Sequence, residues 1–451
     1  MRQLASLLLF SLVLTSPQEG WAQRAQQKTA DKAAAGGGIR LTDEARLHPF
    51  VQAALAYDNN PNLLPMSAAV GDALLIVEGG GEVFVPSETL EMRARLALNY
   101  NHYMGLGNSD TDGDGVDDIQ TDSLSAVKGG GELQLLGNKK RRLRWGLALR
   151  SNRVDDPTPL VVGSRTGRLY TTGQLFLEWR PGGQAMGFKL QPNGAYDAYD
   201  GLSAAEREQG ATYDPTAANS AKYGLRFDYD WRLFPRTQFV LNNSWSVSES
   251  KDATSNPLNS EIGLMGQFTP QLSAIVAGGY AMSSLFSSLN KNGEGKEAED
   301  TSTFIGQVEV RYDEKRNTTT RVGYRRALLP AAFHGTMQNN QLYFRYYSRF
   351  GRGLRTLFNA QYDFRVFGAL TGEKLNTLIK VGGDERIDHQ ITVNASVLYQ
   401  PKRNWLAGVS LRPDFVNTSA TFNQGTEEEP EYAAETGYLR LMLMFMFEAK
   451  L

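Results

Sequence analysis

Residues 438–451 alternate strictly between apolar and mixed positions. The apolar set comprises Leu439, Leu441, Leu443, Phe445, Phe447, Ala449 and Leu451. The interleaved set comprises Tyr438, Arg440, Met442, Met444, Met446, Glu448 and Lys450. A period of two predicts a β-strand with one apolar and one mixed face. Such a strand fits either the edge of a soluble sandwich or a barrel in which it closes onto the first strand, residues 47–58.

The same alternation in other segments decides between these two structures. Charged residues alternate with aromatic and aliphatic ones in residues 90–100, 142–152, 221–232 and 341–349. A sandwich would bury full charges in its core or expose rings to water. In a membrane barrel, the apolar face meets lipid and the charged face meets a wet lumen. The pattern therefore predicts an all-β fold, an antiparallel transmembrane outer-membrane β-barrel.

The connections between these segments alternate between short turns and long polar loops. Four short turns place an aromatic residue one or two positions before a proline, which is typical of an aromatic girdle followed by a strand-ending turn: Trp179/Pro181, Phe234/Pro235, Phe268/Pro270 and Tyr399/Pro401. Nine loops and eight turns predict about 18 strands, within a range of 16–20. Residues 375–381 could form a nineteenth strand, but both chain ends in the periplasm require an even number, so we assign them to the eighth loop.

The N-terminal segment predicts export. Arg2 precedes an apolar run, residues 4–14, and small residues precede a cleavage point after Ala22. We therefore expect a signal peptide at 1–22, a flexible periplasmic leader at 23–46 and the barrel at 47–451, in the outer membrane of a Gram-negative bacterium. The run is too short to span a bilayer as a helix.

Composition excludes several classes of function. The 47 basic and 49 acidic residues nearly cancel, so there is no basic excess of the kind that binds nucleic acid. The chain has no cysteine, and therefore no disulfide frame or thiolate metal site. Its four histidines (His48, His102, His334 and His389) do not form the patterns of barrel lipases or aspartyl-type proteases. We expect no enzymatic activity.

The face predicted to line the lumen is rich in arginine and tyrosine. The candidate lumen residues are Arg93, Arg95, Arg142, Arg144, Arg226, Arg321, Arg325, Arg345, Tyr343 and Tyr347. Two interpretations remain open. The arginines form ion-pair ladders with lumen acids such as Glu91, Glu178, Asp228, Asp230, Glu309, Asp363 and Asp414, or they form a positive path for anionic solutes or polymers.

One predicted outer loop has the start of a calcium-binding loop. Asp110, Asp112 and Asp114 occupy positions 1, 3 and 5, and Gly115 supplies the sharp turn at position 6. Asp118 and Asp122 add carboxylates, whereas position 12 is Thr121. The loop resembles the aspartate-rich calcium repeats of extracellular proteins. We expect a structural Ca²⁺ here, against the simpler interpretation of a solvated acidic loop.

Two segments carry a resemblance to a known group of barrels. They are Ala56-Tyr57-Asp58-Asn59-Asn60-Pro61-Asn62 and the stretch from Arg386 through Tyr399-Gln400-Pro401 to Trp405 and Gly408. Both resemble outer-membrane β-barrel proteins associated with exopolysaccharide and capsule export. The resemblance implies a conduit for a secreted polysaccharide that works with a periplasmic polysaccharide-export protein.

The alternative is a general or solute-selective porin, or a structural barrel. A porin should fold a long loop inward, with residues 199–220 as the candidate, whereas an exporter should keep a continuous path without a fixed constriction.

If the aspartate-rich loop binds calcium, Asp112→Ala should weaken binding sharply, because it removes one of the carboxylate ligands. Asp252→Ala, an aspartate of another loop, should leave binding unchanged. Isothermal titration calorimetry of the purified protein measures both. Absence of calcium binding by the wild type at millimolar concentrations would exclude the site.

Overall fold

The structure is a computed structural model. It describes residues 38–42, 45–61, 69–87, 89–108, 126–157, 165–181, 185–200, 216, 219–250, 253–287, 300–314, 317–331, 335–351, 353–368, 379–381, 386–402, 405–422 and 437–450. No helix within these residues is long and apolar enough to cross a membrane.

The described residues form twenty-two strands, of which four are pieces of two or three residues: Ile39–Arg40, Ala253–Ser255, Ile379–Val381 and Ala420–Phe422. The other eighteen build the wall. They are β1 (Arg46–Asp58), β2 (Asp72–Val85), β3 (Leu90–Tyr103), β4 (Ala126–Gly137), β5 (Leu143–Pro157), β6 (Arg165–Trp179), β7 (Met186–Tyr199), β8 (Ser220–Phe234), β9 (Thr237–Ser250), β10 (Leu258–Gln267), β11 (Leu272–Ser287), β12 (Asp300–Glu314), β13 (Thr318–Ala331), β14 (Gly335–Phe350), β15 (Leu354–Phe367), β16 (Arg386–Lys402), β17 (Trp405–Thr418) and β18 (Gly437–Lys450).

Each strand pairs antiparallel with the next one along the chain, and the last strand pairs with the first. The β1–β18 register runs from Phe50 opposite Lys450 to Asp58 opposite Met442. This pairing closes the sheet, so its wall has no open edge. The predicted barrel, the favoured count of 18 strands and the pairing of the terminal strands are confirmed.

The alternation along the strands separates two environments. Outward side chains are large, apolar and exposed, for example Leu96 at 67% and Phe304 at 77%. On β18, Leu439, Phe445 and Phe447 face outward, whereas Tyr438 and Met446 are buried in the lumen, as predicted. So wide an apolar belt is stable in hydrocarbon and not in water, and the chain is an outer-membrane β-barrel.

The aromatic residues before the proline turns lie on this outer surface. Trp179, Phe234, Phe268 and Tyr399 are each about half exposed or more. Trp179 stacks on Phe188, with ring centroids 5.4 Å apart. Exposed rings next to the short turns are the arrangement of an interfacial girdle.

Two of the short pieces lie outside the wall. Ile379–Val381 pairs with Ala420–Phe422 in a separate two-stranded ribbon, so it is not a nineteenth wall strand. Within the expected leader, Ile39–Arg40 folds back and pairs with the start of β1, Ile39 opposite Leu47.

The two faces of β18 predict opposite responses to a charge. Leu443 faces lipid near the middle of the strand, so Leu443→Arg should cost about 2–4 kcal/mol of folding free energy. The neighbouring Met444 faces the lumen and packs beside Ala56 and Leu74, where a longer arginine side chain can extend to water, so Met444→Arg should cost less. Urea titration of the barrel in liposomes, followed by its heat-modifiable migration, measures both losses. Equal losses would contradict the assignment of the faces.

Candidate functional site: the lumen

The structure distributes the predicted lumen residues over five strands. Arg93 and Arg95 lie on β3, Arg144 on β5, Arg226 on β8, Arg321 and Arg325 on β13, and Tyr343, Arg345 and Tyr347 on β14. All of these alternate with outward residues such as Leu96, Tyr324 and Phe344 and therefore face the lumen. Arg142 lies in the turn just before β5 and is exposed there.

On the β2–β8 side of the lumen, cross-strand ion pairs hold most arginines. Four pairs join neighbouring strands, namely Arg95–Glu78 (2.6 Å), Arg93–Glu82 (3.3 Å), Arg168–Asp197 (2.9 Å) and Arg144–Glu178, and a fifth, Arg226–Asp228 (2.8 Å), lies within β8. Of these five carboxylates, Glu78, Glu82, Glu178 and Asp197 are buried. A buried carboxylate needs its partner, because an uncompensated charge at such a site is costly. This wall matches the ion-pair ladder interpretation.

Sequence reasoning missed Glu78, Glu82 and Asp197 as lumen acids. The two glutamates flank the run Gly79-Gly80-Gly81 on β2. Because glycines take the place of apolar residues there, the alternation of apolar and polar side chains is not visible in the sequence. Parity alone could have found the two glutamates, since Leu74, Glu78, Glu82 and Phe84 all fall on one face of β2 and are all buried.

The β12–β14 side is different, because arginines face one another. Arg311 is directly opposite Arg321, and Arg321 is directly opposite Arg345. Beside them, the Tyr343 hydroxyl donates to Glu309 Oε2 at 2.6 Å, and the Arg345 guanidinium lies 4.8 Å from the centroid of the Tyr343 ring. Tyr343 is therefore buried and engaged within the wall.

A hairpin tip enters the lumen above this region. β13 and β14 stay paired to Ala331 opposite Gly335, but β12 and β13 separate beyond Gly306 opposite Arg326. β14 stays paired with β15 as far as Met337 opposite Phe367, so only the end of β13 leans inward, where Leu328, 1% exposed, packs against Ala281 and Ile305.

Hydrogen bonds hold this tip in place. Asn259, on the inner face of β10, donates from Nδ2 to Leu328 O at 3.2 Å and accepts from Leu328 N at 3.4 Å. At the bend, Arg326 Nη2 donates to Thr303 Oγ1 at 2.9 Å and to Gln338 Oε1 at 2.8 Å. The end of β13 thus lies over the inner faces of β12 and β11 and reaches β10, which is not its neighbour.

The segment after β1 closes the β1–β18 seam. Asp58 is fully buried and accepts two bonds from Arg440 Nε, at 3.0 and 2.9 Å. Asn59 N donates to Leu441 O at 3.1 Å, and Asn60 Nδ2 donates to Leu439 O at 3.2 Å. The first of the two segments that carry the family resemblance therefore forms, in this structure, a structural clasp between β1 and β18.

No group of three or more potential metal ligands of the His, Cys, Asp or Glu type occurs within the part of the chain that the structure describes. The five aspartates of the expected calcium loop lie outside that part, as do residues 201–215 of the loop expected to fold inward.

No protein-family model matches the sequence, and a search of curated proteins finds no match. Solved structures similar to this chain include the copper transporter OprC, at 10% identity over 90% of this chain and 80% of that chain, with a TM-score of 0.47. The FrpB iron transporter from Neisseria meningitidis gives 10% identity, 91% and 82% coverage and a TM-score of 0.45. OccAB4 from Acinetobacter baumannii gives 10% identity, 91% and 100% coverage and a TM-score of 0.42. At this level the likeness assigns neither activity nor substrate.

Because the clasp is buried, loss of its acid should destabilise the barrel far more than loss of the acid of an exposed ion pair. Asp58→Ala leaves the Arg440 guanidinium buried without its partner and should cost about 3–5 kcal/mol. The exposed Arg153–Asp200 pair is the control, since Asp200→Ala should cost less than about 1 kcal/mol. Equilibrium unfolding of the reconstituted barrels measures both values. Similar small losses in the two variants would show that the clasp is unimportant.

Proposed function

We propose that this chain forms a passive channel of the porin type, which admits small hydrophilic solutes across the outer membrane. The observation that carries the proposal is the inward end of β13, bonded to Asn259 on the inner face of β10. An eighteen-stranded barrel is wide enough to hold water along its axis. The segment held against the inner wall narrows that space.

The charges of the wall support the same proposal. Ion pairs line the β2–β8 side, and arginines dominate the facing rows of β12–β14. A polar lining of both signs keeps water in the lumen and favours hydrophilic solutes over apolar ones. Transport through such a path needs no energy source, only a concentration gradient.

Export of a polysaccharide with a periplasmic polysaccharide-export protein is the second candidate, on the basis of the family resemblance. A polymer in transit requires a continuous path, so the hairpin would have to leave the lumen during export. Tyr343, one of the candidate lumen residues for the polymer path, is buried against Arg345 and bonded to Glu309. These two contacts favour the porin proposal.

Removing the hairpin tip should widen the channel. Ala327 is opposite Asn339, so residues 328–338 can be replaced by an Asn-Gly turn without changing the register. Single-channel conductance in planar bilayers should rise, and liposome swelling should admit larger uncharged sugars. Asn259→Ala, which removes only the anchor of the tip, should increase current fluctuations with a smaller change in conductance. Unchanged conductance in the shortened variant would contradict a constriction at the tip.

A strain that lacks the gene separates the two functions. The porin proposal expects normal surface polysaccharide and slower uptake of small hydrophilic solutes, restored by the wild-type gene. Loss of surface polysaccharide with unchanged solute uptake would instead establish export.

A further inference from the structure

Three consecutive short turns on one side of the barrel are rich in basic residues, and we call them the basic turns. They are residues 138–142 between β4 and β5, 180–185 between β6 and β7, and 235–236 between β8 and β9. Because short turns lie on the periplasmic side of an outer-membrane barrel, the basic turns face the periplasmic leaflet. They contain no acidic residue and six basic ones: Lys139, Lys140, Arg141, Arg142, Arg180 and Arg236.

Acidic side chains at the adjoining strand ends offset part of this charge. Glu91 pairs with Lys139, and Glu178 pairs with Arg144 and Arg180. Since the turns themselves contain no carboxylate, this part of the rim has an excess of positive charge, and such a patch attracts anions. Four residues of the basic turns are exposed at the rim: Lys140, Arg141, Arg142 and Arg236.

The basic turns begin where the aromatic girdle ends. Trp179 directly precedes Arg180, and Phe234 is two residues before Arg236. Both rings are exposed on the lipid face, where aromatic residues mark the boundary between hydrocarbon and headgroups. One or two residues correspond to about 3–7 Å along a strand. The basic side chains are therefore level with the phosphates of the periplasmic leaflet, and their long stems can bend along the surface to reach them.

Further into the membrane, the lipid face of the same side of the barrel has an apolar groove of about 1200 Å³, the outer groove, which extends from Val83 on β2 to Tyr223 on β8. Glycines form part of its floor, because a glycine leaves the backbone of the sheet uncovered. Gly131 faces outward opposite the exposed Leu96, and Gly194 faces outward opposite the exposed Tyr223. A depression within hydrocarbon is filled by apolar material, since polar groups without partners are costly there.

We propose that the basic turns and the outer groove together bind an anionic phospholipid of the periplasmic leaflet, of the phosphatidylglycerol or cardiolipin class. The lipid phosphate accepts hydrogen bonds from exposed guanidinium groups such as those of Arg141 and Arg142, and the acyl chains lie in the groove. β4 connects the two parts. Leu133 lines the groove and is five residues before Asn138, about 17 Å along a tilted strand and thus within the depth of one leaflet. This site is independent of the proposed channel function.

Native mass spectrometry of the barrel released from nanodiscs tests the headgroup part. The nanodiscs contain phosphatidylcholine with a minority of phosphatidylglycerol, and the wild type should retain phosphatidylglycerol preferentially. The triple variant Lys140→Gln/Arg141→Gln/Arg142→Gln should reduce this preference about tenfold or more, because each basic group adds to the attraction for anionic lipid. The control Lys251→Gln/Lys291→Gln/Lys296→Gln removes the same charge from the expected long loops and should leave the preference unchanged.

Two pairs of glycine substitutions test the groove. Gly79→Leu/Gly131→Leu fills part of its floor and should reduce the number of retained phosphatidylglycerol molecules. The sheet can accept these side chains, because an added Cβ meets no atom within 4 Å at Gly79 and only Leu96 Cδ1, at 3.7 Å, as its nearest neighbour at Gly131. Gly266→Leu/Gly278→Leu is the control, since both positions face outward on β10 and β11, are equally open and lie outside the groove.

Thermal unfolding in mixed micelles gives a second readout. Phosphatidylglycerol should raise the unfolding temperature of the wild type and of both controls more than that of the triple variant, and high salt should weaken the effect. Equal retention of phosphatidylglycerol and phosphatidylcholine by the wild type, or an equal loss in the loop-lysine control, would overturn the site. Glycerol phosphate that stabilises as well as the lipid would refute a role of the groove. Dimers that only the groove variant loses would assign the groove to a second copy of the barrel and refute the lipid site.

Discussion

Every backbone N–H and C=O group inside a bilayer needs a partner within the protein, and the rest of this structure depends on that constraint. Sixteen of the eighteen strands satisfy it on both edges with their neighbours in sequence, whereas β1 and β18 each need the other for one edge. Closure fixes which residues face lipid and which face the lumen. It also fixes the registers that bring Glu78 beside Arg95 and Arg321 beside Arg345. The lumen chemistry is therefore a consequence of how the sheet closes.

Closure places many charges in a confined space, and the two sides of the lumen differ in how these charges are paired. From β2 to β8, carboxylates on neighbouring strands pair with the arginines. From β12 to β14, arginines are direct cross-strand partners, and the end of β13 lies over the inner faces of β11 and β12. The two sides of the lumen therefore arrange their arginines differently.

The fold was predictable because alternation is a local property. The charged residues that alternate with apolar ones such as Leu96 and Tyr223 can be read from the sequence, as can the turns and loops that predict 18 strands. The site was predictable only in part. Arg93, Arg321 and Arg345 could be assigned to the lumen, but their partners could not, because register depends on where each strand starts relative to its neighbour. The inward end of β13 was missed because the sequence does not show where pairing between β12 and β13 ends, and only that early end releases the segment.

The clasp between Asp58 and Arg440 spans 382 residues of sequence. Asp58 is among the first residues of the wall to be synthesised, and Arg440 among the last. Until β18 arrives, the Asp58 carboxylate has no guanidinium to offset its burial, so an intermediate without the last strand has an uncompensated charge at its open edge. Formation of the clasp therefore belongs to the closing step, the pairing of β18 with β1. A barrel without β18 cannot form it, so the clasp distinguishes a closed wall from an open one.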